Sequence, residues 1–274
     1  MKLATTFANT ASVIQSATPL SDDEIRRVAP SIFASEAHAS RSSKYTYIPT
    51  NEILNGLRGE GFQPFMACQA RVRNEHRLEF TKHMLRLRHV SQIVGAEANE
   101  IILVNSHDGS SSYQMLAGVF RFVCRNGLIC GDTVEDLRIP HRGDIVGEVI
   151  DGAYQILDQF KAVDSAKDEM KALVLRDDEQ VAFARAALTV RYDGESPPIS
   201  ERQALNLHRS EDSEQNLWST FNVVQENLIR GGLRGRSQNG RRNRTRPVTG
   251  IDQNVRLNRA LWVLAEEMRK LKAA

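Results

Sequence analysis

Hydrophobic and polar residues change their period along this chain, from two in its first half to three and four in its second. From Phe65 to Arg73, Met66, Cys68, Ala70 and Val72 fall on one side and Gln69, Arg71 and Arg73 on the other, the alternation of a half-buried strand. Arg77 to Val90 repeats the pattern less cleanly. There Leu85 and Leu87 alternate with Arg86 and Arg88, so pairing with the preceding strand would put both arginines on one exposed face. The strongest strand signal is Ile101 to Asp132. Ile101 to Val104 are aliphatic, His107 to Ser112 supply a polar turn, Tyr113 to Cys124 resume an apolar run, and Arg125-Asn126-Gly127 reverse the chain into Leu128, Ile129 and Cys130. If Phe120, Phe122 and Cys124 face the core, Arg121 points the other way and reads as either a site residue or a paired structural charge, the latter favoured. Glu135 to Arg142 is a candidate last strand.

Helical signals flank this block. Ser21 and Glu24 form a capping-box pattern for a helix that Pro30 must end, and Thr50 caps a second helix with an apolar stripe of Ile53, Leu54 and Leu57. From near Asp144, Ile145, Val149, Ala153, Ile156, Leu157 and Phe160 recur at helical steps, and a further helix runs from Glu179 to about Val190. Asp193 to Pro198 is the clearest linker. Beyond it Ser200 caps a short helix. Ser213 to Ile229 presents Leu217, Trp218, Phe221, Val224 and Leu228, and the final helix, Asp252 to Leu271, presents Leu257, Leu261, Leu264, Met268 and Leu271. These two faces predict either a helical hairpin or a homo-oligomer formed through the C-terminal helix. The first twenty residues are open between an arm and an added strand.

The pattern as a whole predicts an α+β fold, with an antiparallel sheet of about five strands in the N-terminal half and a mainly helical C-terminal half. Three regions follow from it: 1–61, an arm and short helices; 62–192, the central sheet and packed helices; and 193–274, a helical region carrying an Arg-rich loop at 230–246.

The order of an apolar strand, Asn105-Ser106-His107-Asp108-Gly109-Ser110, an apolar stretch and then Phe120-Arg121-Phe122-Val123-Cys124-Arg125-Asn126-Gly127-Leu128 resembles the phage- and plasmid-borne family catalogued as domain of unknown function 932. The similarity runs from about Phe62 to the C-terminal helix. It implies a mobile-element origin and brings no catalytic residues with it.

Composition adds little until charge is placed. The 36 basic and 34 acidic residues nearly cancel, so any partner signal lies in their distribution. No stretch approaches the ~20 apolar residues of a membrane span, and the N-terminus lacks the apolar core of a secretory signal; the expectation is a cytoplasmic chain with no membrane partner. Cys68, Cys124 and Cys130 form no C-x-x-C pair and read as buried reduced thiols.

The sharpest chemical signal is Arg230 to Arg246, which holds Arg230, Arg234, Arg236, Arg241, Arg242, Arg244 and Arg246 among four glycines with no acid. Like charges repel and glycine resists order, so this segment reads as a flexible loop that phosphates would neutralise. With Arg71, Arg73, Arg86 and Arg88 on the sheet it predicts a nucleic-acid-binding protein, single-stranded DNA first, acting in recombination or DNA maintenance. Tyr45, Tyr47, Phe62, Phe65 and Phe80 are candidate stacking partners for bases. An acidic protein would satisfy the same charge, and an interaction protein that interferes with a host defence system is a further alternative. For catalysis only His107 and Asp108 stand out, as part of a metal-dependent nuclease. No P-loop, H-E-x-x-H or G-x-S-x-G pattern accompanies them, and the sequence calls for no cofactor and no resident metal.

Overall fold

A computed structural model describes residues 11–41, 45, 47–94, 97–122, 126–130, 145–193, 196–236 and 239–273. The chain divides into two compact units, the first Met1–Leu128, Val134–Phe160 and Thr249–Ile251, the second Ile129–Thr133, Lys161–Val248 and Asp252–Ala274.

The first unit is built on a sheet. Strand β1 (Ala11–Gln15) is the N-terminal arm, and it pairs antiparallel with β2 (Phe62–Ala70), which settles the arm as an added strand. Between them lie α1 (Asp22–Val28) and α2 (Thr50–Gly59). Strands β3 (His83–His89), the two-residue β4 (Ile93–Val94), β5 (Glu97–Asn105), β6 (Gln114–Arg121) and β7 (Asn126–Ile129) complete the sheet in the order β1-β2-β3-β5-β6-β7, with β4 beside β5. The α+β class and the antiparallel sheet in the N-terminal half are therefore as the alternation predicts. The expected strand at Glu135 to Arg142, together with Cys124 and Arg125, lies outside the described residues.

Local chemistry explains the helix ends. The Ser21 hydroxyl accepts from the Glu24 amide and the Glu24 carboxylate accepts from the Ser21 amide, satisfying donors that the first turn leaves free. Thr50 does not cap α2. Pro49 occupies the cap position, and the Thr50 hydroxyl instead turns inward to His83 Nε2 at 3.0 Å and to the Asn105 amide at 3.0 Å. Ile53, Leu54 and Leu57 are buried as the stripe predicts, and Gly56 sits where a Cβ would reach Val146 at 3.0 Å, so α2 packs closely on the start of α3 (Ile145–Ala172).

The expected solvent-facing side of the sheet is absent from its central strands. Residues along β2, β3 and β5 are buried on both faces, including Gln69, His83, Arg86, Arg88, Glu100 and Asn105. On one face, Gln69 accepts from the Ser31 amide and His83 meets the Ser31 and Thr50 hydroxyls, so these two buried side chains have partners from outside the sheet. Arg121 pairs with Glu97 at 3.6 Å, the structural charge that the alternation predicts.

In the second unit the later part of α3 is followed by α4 (Asp177–Arg191), α5 (Glu201–Ala204) and α6 (Leu217–Arg230), then by the ribbon strands β8 (Arg234–Arg236) and β9 (Arg242–Arg244), and by α7 (Ile251–Ala273). Ser200 caps α5, and Asn216 caps α6, which starts at Leu217 rather than at Ser213. Helices α6 and α7 pack through Trp218, Phe221 and Trp262, whose rings meet edge-on or tilted at 5.6–6.3 Å. The buried stripe of α7 is Leu257, Leu261, Trp262 and Ala265, and Leu271 at its end is 75% exposed, so the predicted a/d seam drifts off the contact by about two turns from the terminus. Among the described residues no helix is long and apolar enough to cross a membrane. Cys68 and Cys130 are buried, and burial pushes the Cys68 thiol up to about 12.

Candidate nucleic-acid interface

The Arg-rich segment is not a loop. It forms a two-stranded antiparallel ribbon in which Arg234 stands opposite Arg244, Gly235 opposite Asn243, and Arg236 opposite Arg242. Side chains alternate across a strand and directly opposed residues share a face, so Arg234, Arg236, Arg242 and Arg244 all lie on one side. Each of the four is exposed. Like charges directly opposite one another in a ribbon are destabilising, and among the described residues none of the four has a carboxylate partner. The nearby Glu201 carboxylate is already held by Arg185 at 2.8 Å.

The repulsion is tolerated because the backbone is tied down elsewhere. The Thr245 amide donates to Leu233 O, the Gly232 amide to Thr245 O, and the buried Thr245 hydroxyl accepts from the Leu233 amide. On the outer edge of β8 the Arg236 amide donates to Pro198 O at 2.8 Å and Gln203 Nε2 donates to Arg234 O at 2.6 Å. Gly235 is required at that edge, since a Cβ there would lie 2.3 Å from Pro198 O. Between the ribbon and residues 197–203 opens a cleft of ≈ 920 Å³. The signal for all this is present in the sequence as Arg-Gly-Arg and Arg-Asn-Arg on either side of Asn239-Gly240, a hairpin turn pair whose glycine has φ +72°.

The other expected contacts divide. Arg71 and Arg73 are exposed and follow the end of β2, while Arg241 and Arg246 are exposed beside the ribbon. Arg230 closes α6 and is bound to the buried Glu226, which also receives Arg209 at 2.7 Å. Arg86 and Arg88 are corrected outright: they are 4% and 1% exposed and share the single carboxylate of Glu100, Arg86 Nη1 at 2.9 Å and Arg88 Nε at 2.8 Å. The Arg88 guanidinium lies over the rings of Phe65 and Phe120 at 4.3 and 4.2 Å, and Gly127 leaves room for that of Arg86. Two arginines at alternate positions read as a solvated face in sequence because the pattern cannot show that a distant glutamate is brought between them.

Of the proposed stacking aromatics, Phe80, Tyr45 and Tyr47 are half-buried, and two are corrected in the same way. Phe62 and Phe65 are core residues, and the Tyr45 and Tyr47 hydroxyls donate to the backbone carbonyls of Ser106 and Ala34. His107 and Asp108 are also buried. The His107 ring lies against Tyr47 at 5.0 Å and His83 at 5.1 Å, and the Asp108 carboxylate accepts from the Ser110 amide, as a tight polar turn requires. Neither ring nitrogen of His107 has a partner at hydrogen-bond geometry, although the Ser31 backbone lies close enough to favour its charged form slightly. Among the described residues no three His, Cys, Asp or Glu side chains gather as metal ligands.

Burial pushes His83 down to about 3, helped by His107, and pushes His107 down to about 4 against the opposing pull of Ser31 and Asp108. An unfolded imidazole titrates near 6.5. Between that value and the folded ones the unfolded chain binds more protons, so this contribution is complete above about pH 6.5 and is lost as the pH falls through about 4 and then about 3. Melting temperatures measured from pH 7 to pH 4 should drop less steeply for His83→Asn than for the natural chain; identical slopes would refute the buried-neutral assignment.

Residues 37–262 match the family described as domain of unknown function (DUF932). The chain belongs to this family. It is similar to UPF0380 protein YfjQ and UPF0380 protein YafZ of Escherichia coli (strain K12), each 52% identical over 267 residues and covering 97% of both chains. The family match begins after β1 and α1 and includes α2, the other strands of the sheet, the ribbon and about the first half of α7, a wider span than the central block that carries the resemblance in the sequence. No solved structure matches the chain.

Proposed function

We propose that this protein binds nucleic acid, single-stranded DNA first, through the arginine face of the β8–β9 ribbon. One observation carries the reading: four exposed guanidiniums are held on one side of a tethered ribbon, opposite one another in pairs and without carboxylates. A structure that places like charges together at a cost in stability has a use for the resulting field, and a phosphate chain neutralises it while releasing counterions. Arg241 and Arg246 extend the surface, and the exposed Arg71 and Arg73 form a separate basic patch on the other unit. Arg86, Arg88 and Arg230 have no part in it. On this reading the binding serves recombination or DNA maintenance in a mobile element, a role that the resemblance to phage- and plasmid-borne proteins supports.

A duplex is the second reading, because a two-stranded ribbon fits a major groove. The test is a salt titration of labelled single- and double-stranded oligonucleotides, with magnesium present and absent. Each single-strand phosphate contact contributes about 0.7 to the salt slope, so replacing Arg234, Arg236, Arg242 and Arg244 by Ala should flatten it by roughly 2 to 3 while the fold is retained. Absence of binding to either form at low salt would make an acidic protein the better partner. Metal-dependent cutting by the natural chain would revive the nuclease reading.

A further inference from the structure

The cleft beside the ribbon asks for more than phosphate. Pro197, Pro198 and Ile199 line it together with Ser200, Gln203 and Asn243, and the four ribbon arginines line it as well. Asn243 stands opposite Gly235, so its side chain leaves the ribbon on the face turned away from the four arginines. That is the face on which a Gly235 Cβ would meet the Pro198 carbonyl and Ile199, and Asn243 lines the same cleft as the two prolines. The cleft therefore brings together the guanidiniums of the ribbon, the residues Pro197 to Ile199 and one exposed carboxamide.

We propose that this recess receives an unstacked nucleobase from the strand whose phosphates the arginines hold. A base is planar and apolar on its faces and carries adjacent donors and acceptors on its edge; the proline rings match the first property and the carboxamide, a donor and an acceptor side by side, matches the second. The volume suits a small ligand pocket. Gln203 is a poor competitor for the edge, because its Nε2 is bound to Arg234 O and its Oε1 accepts from the Ser200 amide. The donors that tie the ribbon to residues 198–203 make the recess preformed, so little ordering is needed when a base enters. This proposal rests on the nucleic-acid reading and sharpens it: paired, stacked bases of a duplex do not enter such a recess, whereas bases of a single strand do.

The experiment compares, at one fixed salt concentration, binding of the natural chain to a single-stranded DNA oligonucleotide, to an oligonucleotide of the same length made abasic throughout, and to the corresponding duplex. The abasic strand keeps every phosphate and loses every base. The single strand should bind roughly tenfold more tightly than the abasic one, the worth of one bidentate base contact. Asn243→Ala should shrink that ratio toward one with an unchanged salt slope, whereas the fourfold arginine variant should weaken both strands and flatten the slope. Asn243 is exposed, and an unchanged melting temperature checks that its replacement leaves the fold intact. Equal affinity of the natural chain for both strands would overturn base capture and leave phosphate binding standing. If the natural chain bound no strand at all, both readings would fall together.

Discussion

Glu100→Gln should lower the stability of the sheet unit by about 3–5 kcal/mol, the loss expected when one partner of a buried ion pair is removed. The variant keeps the shape of the side chain and removes its charge. Two guanidiniums, those of Arg86 and Arg88, would then be buried with no anion between them, and among the described residues Arg88 Nη1 and Nη2 already meet no acceptor. Stacking on Phe65 and Phe120 offsets part of the desolvation of Arg88, but a ring face is worth only about 2 kcal/mol even when dry. Amide exchange in β3 and β5 is the suitable readout, since both tryptophans, Trp218 and Trp262, belong to the second unit and report little on the sheet. Protection of those strands should fall steeply in the variant. Replacing Arg86, Arg88 and Glu100 together with apolar residues should cost far less than Glu100→Gln alone, because the penalty lies in the unmatched charge. A loss below about 1 kcal/mol for the single variant would refute the buried triad.

The second large effect is expected at Trp262. It is fully buried and its ring meets both Trp218 and Phe221, while Phe221 in turn meets Phe183 of α4. Trp262→Ala would empty the centre of this aromatic group, with a cost of about 3–5 kcal/mol from lost transfer energy and the residual cavity. The remaining Trp218 serves as the reporter. Its fluorescence should give a denaturation midpoint well below that of the natural chain, and the nucleic-acid binding proposed for the ribbon should weaken only as far as the ribbon loses its anchors on residues 198–203. Leu271→Ala is the matching control at the other end of the same helix. Leu271 is exposed, so its replacement should change the midpoint by no more than about 0.5 kcal/mol.

The two sites explain why sequence reading works well for elements and poorly for exposure. Alternation from Phe65 and the runs around Ile101 identify β2, β5 and β6 because side-chain period is a local property of an extended backbone. Capping at Ser21 and Ser200 is legible for the same reason, as both partners lie within four residues. Thr50 shows the limit. Its hydroxyl has a local use as a cap and a distant one at His83 and Asn105, and only the folded chain determines which is taken.

By itself, then, the sequence determined the α+β class, the positions of most strands and helices, the burial of the α2 stripe and the concentration of arginine between α6 and α7. Tertiary structure decided which charges are free. Arg86 and Arg88 alternate with leucines just as Arg234 and Arg236 flank a glycine, yet the first pair is buried around Glu100 and the second faces solvent. The difference is set by partners far away in the chain: β5 carries a carboxylate to the first pair, whereas the second meets another pair of arginines across a ribbon whose edge is secured by Pro198 and Gln203. Charge is a property of a residue, but the electric field it presents to a ligand depends on what the fold has set beside it.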